Sequence, residues 1–167
     1  SQEKALEILG TPSDELYLAR DYYKAAFHLS KYPGRETEEA LLSLVNSESK
    51  EQSVLLAKRK AIEGLAILRC IRAIPSIGNC LGSDDPYIVE NAAWALQKLE
   101  CKNIEFIKKI SSLLDDPKQN RRVLIQTLSR LEAVSELPKI KLFLVKDSLP
   151  SHVLGAAIAS VVRLSGE

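Results

Sequence analysis

The chain has 167 residues, 46% of them hydrophobic, with 23 Lys plus Arg against 22 Asp plus Glu and a formal net charge of +1. That much apolar material fills one continuous core, so folding needs no disulfide or metal staple. A charge so close to zero provides no field for gripping nucleic acid or an anionic membrane, and neither partner is expected.

In chain order, a short amphipathic helix is expected at residues 3–9, followed by a second helix that Pro12 opens behind Thr11 and that carries Ala25, Leu29 and Tyr32 at i, i+4 and i+7. Pro33-Gly34 stops that unit. Residues 36–45 begin the next unit, whose second helix contains Ala61-Ile62-Glu63-Gly64-Leu65-Ala66-Ile67-Leu68. The third unit pairs residues 71–81 with a helix opened by Pro86 behind Asp85, containing Ala92-Ala93-Trp94-Ala95-Leu96-Gln97-Lys98-Leu99. The fourth pairs residues 104–114 with a helix opened by Pro117 behind Asp116, containing residues 124–131. The fifth pairs residues 136–145 with a helix opened by Pro150, containing residues 157–164.

The four long second-helix segments align at offsets of 31, 32 and 33 residues. A hairpin repeated at that period cannot bury its own apolar stripe, so neighbouring units must stack and share a core. The expected fold is all-α, a HEAT-like α-solenoid (superhelix) of about five helical hairpins. It forms a single domain over 1–167 with repeats at roughly 2–34, 35–70, 71–101, 102–133 and 134–166. Armadillo and tetratricopeptide units have similar periods. HEAT is preferred for the proline-bearing Ala73-Ile74-Pro75-Ser76-Ile77, the acidic turn at Asp84-Asp85, and the alanine-rich helix that follows. The HEAT pattern usually has Arg after the valine, where this chain has Glu90; Arg59 and Arg122 hold the equivalent positions in the neighbouring units.

If Ala92, Leu96 and Leu99 face the stack, Trp94 lies about 200° around the helix from Ala92 and points outward. Asn91, Glu90 and Tyr87 share its face. Carrying that register to other units adds Arg20, Tyr23, Phe27, Arg59, Glu63, Arg122 and Gln126. The resulting groove mixes aromatic, cationic and carboxylate groups. Two plainer readings stand beside it: Trp94 packs between adjacent second helices, and Glu90 pairs with Arg59 or Arg122.

Cys70, Cys80 and Cys101 include no CxxC pair, which fits a reducing cytosol and a cytoplasmic location. They read as small buried apolar residues rather than nucleophiles. His28 and His152 lack ligand neighbours at metal spacing, so no metal site is expected. Neither a signal peptide nor a membrane span is expected, and the sequence contains no phosphate loop, GxSxG elbow or HExxH motif. A chain that opens on Ser1 and contains no methionine reads as a processed chain or an excised fragment.

Two segments go beyond a generic repeat. The first runs from Asp21-Tyr22-Tyr23-Lys24-Ala25-Ala26-Phe27-His28-Leu29 into Tyr32-Pro33-Gly34-Arg35-Glu36. The second runs from Ala73-Ile74-Pro75-Ser76-Ile77 through Asp84-Asp85-Pro86-Tyr87-Ile88-Val89-Glu90-Asn91-Ala92-Ala93-Trp94. Over roughly residues 20 to 100 the chain resembles the E/F-type phycobilin lyases of cyanobacteria, HEAT-repeat proteins that attach linear tetrapyrroles to phycobiliprotein cysteines; the last two repeats look merely HEAT-like.

The resemblance implies a phycobilin as substrate, with no cofactor permanently bound, and a phycobiliprotein subunit as partner, with a second lyase subunit or a homodimer also possible. It implies that Arg59 and Arg122 meet the propionates, that Tyr23, Phe27, Tyr87 and Trp94 flank the conjugated rings, and that Asn91 belongs to the same binding face. Glu90, Asp84 or Asp85 would supply a proton, although Asp84 and Asp85 read more readily as helix caps only. The alternative function is a non-enzymatic scaffold or chaperone that grips a phycobiliprotein subunit or another protein partner in the same groove.

Overall fold

The computed structural model describes residues 1–11, 19–145 and 149–166, without the side chains of Ala19 and Arg20. The expected helix opening at Pro12 and the groove position of Arg20 lie outside the described residues.

Among the described residues ten α-helices follow one another: α1 (Gln2–Gly10), α2 (Ala19–Leu29), α3 (Arg35–Val45), α4 (Gln52–Ile67), α5 (Ile74–Asn79), α6 (Pro86–Lys98), α7 (Ile104–Leu113), α8 (Arg121–Arg130), α9 (Leu137–Leu144) and α10 (Ser151–Ser165). Single 3-10 turns at Ile71–Ala73, Cys80–Gly82 and Val134–Glu136 adjoin α5 and α9. Among the described residues there is no strand. The even-numbered helices pack in sequence, α2 on α4, α4 on α6, α6 on α8 and α8 on α10, and their partners α1, α3, α5, α7 and α9 lie against them from one side. The chain is thus an α-solenoid of helical hairpins, as the periodicity predicts.

The period has a local origin in one repeated turn. α4, α6 and α8 each end in a left-handed residue, Arg69 (φ 55°), Glu100 (φ 54°) and Glu132 (φ 57°). The amide of the next residue then bonds back across the last turn: Cys70 to Leu65, Cys101 to Leu96 and Ala133 to Leu128, each at 3.0 Å. This is the Schellman closure, which satisfies helix-end carbonyls and reverses the chain. Cys70, Cys101 and Ala133 are buried directly after it. The expectation that the two aligned cysteines are small apolar turn residues therefore holds.

Helix starts agree less evenly with the sequence. Asp85 caps α6 as expected, its carboxylate accepting the Tyr87 amide at 2.9 Å with Pro86 as the first helical residue. Pro117, however, does not open α8. Asp116 instead closes a separate turn by accepting from the Lys118 amide (3.0 Å) and the Gln119 side chain (3.2 Å), and α8 starts at Arg121 behind Asn120. Pro150 is the capping residue of α10 rather than its first helical residue.

The core runs unbroken along the stack. Ile62, Leu65, Ile88, Leu96, Ile110, Leu124, Leu128 and Phe143 are fully buried; each such aliphatic side chain contributes about 1.5–3 kcal/mol. Neighbouring units interlock at small residues. Phe106 of α7 lies over Gly78 of α5 so closely that a Cβ there would sit 2.2–2.4 Å from the ring. Gly64 of α4 similarly admits Ser30, whose Cβ would be 3.1 Å away.

Candidate functional site

The face of the even-numbered helices opposite the stacked stripe carries the candidate site. α4 supplies Leu56, Arg59, Lys60 and Glu63, which with Tyr23 of α2 and Asn91 of α6 line a depression of about 260 Å3. Glu63 and Asn91 also line the adjoining depression of about 180 Å3, completed by Glu90 and Trp94 of α6 and Val123 of α8. The two share residues and form one groove across four helices. Trp94 is neither sealed nor free: it is half-buried, packs against the core from one side and lines the groove. Lys98 stands over its ring at 5.6 Å.

Tyr87 is 60% exposed, and the Arg59 guanidinium lies 4.9 Å from its ring centroid. Arg59 forms no ion pair among the described residues, and its Nε is buried without a hydrogen-bond partner. The main-chain carbonyl of Arg59 accepts from the Asn91 side-chain amide at 3.2 Å, tying α4 to α6 beneath the groove. Tyr23 (40% exposed) and Phe27 (47% exposed) stand side by side on α2, with the Lys60 ammonium 5.6 Å and 5.2 Å from their rings. Burial opposes the charge of Lys60, but its 2.7 Å contact with Glu63 and the nearby Tyr23 phenol outweigh that cost, so its pKa lies above the ordinary lysine value.

Glu90 pairs with neither arginine. Its Oε1 accepts from the Asn120 amide at 2.7 Å, while the Asn120 carbonyl oxygen accepts the Val123 amide at 3.3 Å and so caps α8. Arg122, on the first turn of α8, donates to the neutral Gln126 at 3.3 Å and lines a further depression between the starts of α8 and α10, together with Asn120 and His152. The groove and this depression therefore meet at the Glu90–Asn120 hydrogen bond.

The remaining carboxylates stand apart. Asp85 is engaged as the α6 cap, and Asp84 extends into solvent with Lys50 at 3.6 Å. The structure thus brings Tyr23, Arg59, Glu90, Asn91 and Trp94 onto one groove, places Phe27 and Tyr87 beside it and Arg122 next door, and leaves Asp84 and Asp85 at the turn before α6. Reading the sequence by register missed Lys60 and Asn120. Lys60 precedes Glu63 by three residues and so shares its face, a signal the sequence does carry.

The cysteines offer no nucleophile to this surface. All three are buried and free, and burial raises the Cys70 and Cys80 thiols above their usual range, Glu38 adding to the effect at Cys70. Among the described residues no His, Cys, Asp and Glu side chains cluster as a metal site would require. Among the described residues no helix is long and apolar enough to cross a membrane. A larger cavity of about 690 Å3 lies between α1, α3 and α4, lined by Leu6, Leu9, Tyr22, Ser43 and Val54 among others. Its described lining contains no cation.

Comparison with known proteins sets this geometry in context. The Armadillo/beta-catenin-like repeat family matches residues 68–99. Armadillo and HEAT repeats both build α-solenoids and differ mainly in the helices ahead of the last one. Here that stretch is broken into a 3-10 turn, α5 and a second 3-10 turn. The crystal structure of an engineered protein from the Northeast Structural Genomics Consortium superposes with a TM-score of 0.69, at 18% identity, over 99% of this chain and 81% of its own; that likeness concerns the fold. The bilin biosynthesis protein CpeY of Synechococcus sp. (strain WH8020) is 42% identical over 146 residues, 87% of this chain and 34% of its own length. The chain is homologous to this protein. A second relative, the uncharacterized phycocyanin operon protein Y of Pseudanabaena tenuis (strain PCC 7409), is 35% identical over 165 residues, 99% of this chain and 39% of its own length. The resemblance to phycobilin lyases read from residues 20 to 100 is borne out, and the likeness extends through the last two repeats as well. The chain spans between a third and two fifths of the length of these relatives.

Proposed function

We propose that the chain binds a linear tetrapyrrole in the groove across α2, α4, α6 and α8 and, as a bilin lyase or part of one, promotes its thioether attachment to a phycobiliprotein cysteine. The observation that carries this reading is the placement of Arg59: a cation with no carboxylate partner among the described residues, over the ring of Tyr87 and lining a groove flanked by Tyr23 and Trp94, in a homologue of a bilin biosynthesis protein. A bilin matches each element of that surface. Its propionates meet Arg59 and Arg122, its conjugated rings lie against Tyr23, Phe27, Tyr87 and Trp94, and its pyrrole nitrogens donate to Glu90. Asn91 underpins the wall of the groove rather than its chemistry.

In the reaction the acceptor thiolate forms a C–S bond to an ethylidene carbon, and the displaced π electrons take up a proton elsewhere on the tetrapyrrole. The lyase supplies no nucleophile. Its contribution is to orient the pigment and deliver that proton. Glu90 takes up the proton that the acceptor thiol releases and, as the neutral acid, passes it to the tetrapyrrole; the helix cap made by Asp85 and the solvation of Asp84 favour a role at the turn for those two.

The test is to titrate phycocyanobilin into the protein and follow the visible absorbance, then coexpress protein, pigment pathway and phycobiliprotein subunit and look for covalent colour. A bilin-dependent shift weakened by Arg59→Ala and Trp94→Ala supports the reading. An unshifted spectrum with the acceptor subunit present rejects it. The second reading is a scaffold that grips a phycobiliprotein subunit or another protein partner, favoured by the exposure of Tyr23, Phe27 and Tyr87 on one surface. Tight binding of that subunit on size-exclusion chromatography, independent of pigment, would favour it over the first.

A further inference from the structure

The side chain of Asn120 is divided between two tasks on two helices. Its carbonyl oxygen caps α8 through the Val123 amide at 3.3 Å, and its amide nitrogen donates to Glu90 Oε1 on α6 at 2.7 Å. Glu90 lines the groove, whereas Arg122 leads from the same α8 turn into the adjoining depression, of which Asn120 is itself a wall. One amide group therefore fixes the carboxylate of one repeat relative to the first turn, and so the guanidinium, of the next.

We propose that Asn120 is a positioning residue for Glu90, setting the spacing between a carboxylate that receives pyrrole N–H groups and the Arg122 cation that receives a propionate. This deepens the bilin reading above and rests on it. The chemistry favours such a spacer: in a linear tetrapyrrole each propionate is joined through two methylene carbons to a pyrrole ring, so in any one bound conformation the nitrogens and the propionates lie within a limited range of separations. Two protein groups on different helices engage both only if the helices are registered to each other. Val123, next to Arg122 on α8, closes the groove beside Glu90, so a shift of α8 against α6 would change the cavity and the charge spacing together.

Asn120 can be altered without losing the cap, which separates its two tasks. Asn120→Asp and Asn120→Ser both keep a good capping oxygen. The aspartate has no proton to donate to Glu90 and places a like charge beside it; the serine is too short to reach. Both variants should melt somewhat below the parent protein, since an internal hydrogen bond is lost, yet bind phycocyanobilin about tenfold or more weakly at temperatures where they are fully folded, because Glu90 is no longer held in place. Glu90→Gln should weaken binding as well, and Asn120→Ser added to it should cost little more, because the serine then removes a contact whose purpose is already gone.

The readouts are the absorbance titration, the melting temperature and the coupling between positions 90 and 120. Full affinity in the two Asn120 variants, or strictly additive losses with Glu90→Gln, overturns the inference while leaving the bilin reading in place. A parent protein whose spectrum does not respond to the pigment overturns both. If the Asn120 variants lose affinity only in proportion to a fall in melting temperature, the residue is a helix cap and nothing more, and the inference fails.

Discussion

The guanidinium of Arg59 on α4 lies 4.9 Å over the ring of Tyr87 on α6, a cation stacked on an aromatic ring across a repeat boundary. The ring attracts the guanidinium without neutralising it, so the proposed anion contact would keep its full charge. Exposed cation–π pairs contribute about 0.5–1 kcal/mol. Tyr87→Ala should therefore scarcely change the melting temperature but should weaken bilin binding nearly as much as Arg59→Ala. Arg59→Lys should recover only part of that affinity, since an ammonium neither stacks as a plane nor bonds a carboxylate in two places. Absorbance titrations of the three variants check this; an unaffected Tyr87→Ala would mean that the stacking does not prepare the cation.

Asp85 separates structure from chemistry. Asp85→Ala should destabilise the protein by about 1 kcal/mol through loss of the α6 cap, and Asp85→Asn should restore nearly all of it. The asparagine cannot donate a carboxyl proton. Pigment attachment by Asp85→Asn at the parent rate would establish that the residue is a cap alone, whereas a stable but inactive Asp85→Asn would return it to the reaction.

Gly78 provides the sharpest test of the stacking. A methyl group at that position would overlap the Phe106 ring, so Gly78→Ala should cost about 1–3 kcal/mol as the ring is forced aside. Combining it with Phe106→Leu should return part of the loss. Denaturant unfolding of the single and double variants measures this; a double variant no better than the sum of its parts would contradict the packing described.

Lys60 predicts an alkaline effect. Its folded pKa lies above the ordinary 10.5, held there by Glu63 and Tyr23 against the cost of burial. A raised lysine pKa adds stability that is complete below the unfolded value and disappears as pH climbs through the folded one. Between pH 9 and values above about 10.5 the parent should lose stability relative to Lys60→Gln, and below about pH 9 the difference between the two should stay constant. Melting curves of both proteins across that range decide the matter. Parallel pH profiles would show that the Glu63 contact does not favour the charged form.

Much of this architecture was legible because it is written in repetition. Ala61, Ala92, Leu124 and Ala157 recur at the spacing that the left-handed turns at Arg69, Glu100 and Glu132 impose on the chain, and the outward placement of Trp94 followed from helical geometry alone. The Asp116-Pro117 pair misled because a dipeptide identical to Asp85-Pro86 carries no record of register. The offset of 32 that aligns Ala92 with Leu124 carries Pro86 to position 118, one residue beyond the proline, and the slack is taken up by a turn closed on Asp116. Asn120 stayed hidden for a different reason. Its bond to Glu90 spans 30 residues between helices whose relative rotation no local pattern encodes. Lys60 shares a helix face with Glu63, but only the approach of α2 to α4 puts two rings beneath it.

The link between Asn91 and the Arg59 main chain has an evolutionary corollary. Because the bond is made to a carbonyl that every amino acid possesses, the side chain at position 59 can change, proline excepted, without unfastening α4 from α6. Substitution is thereby free to retune the proposed anion contact while the wall behind it stays in place.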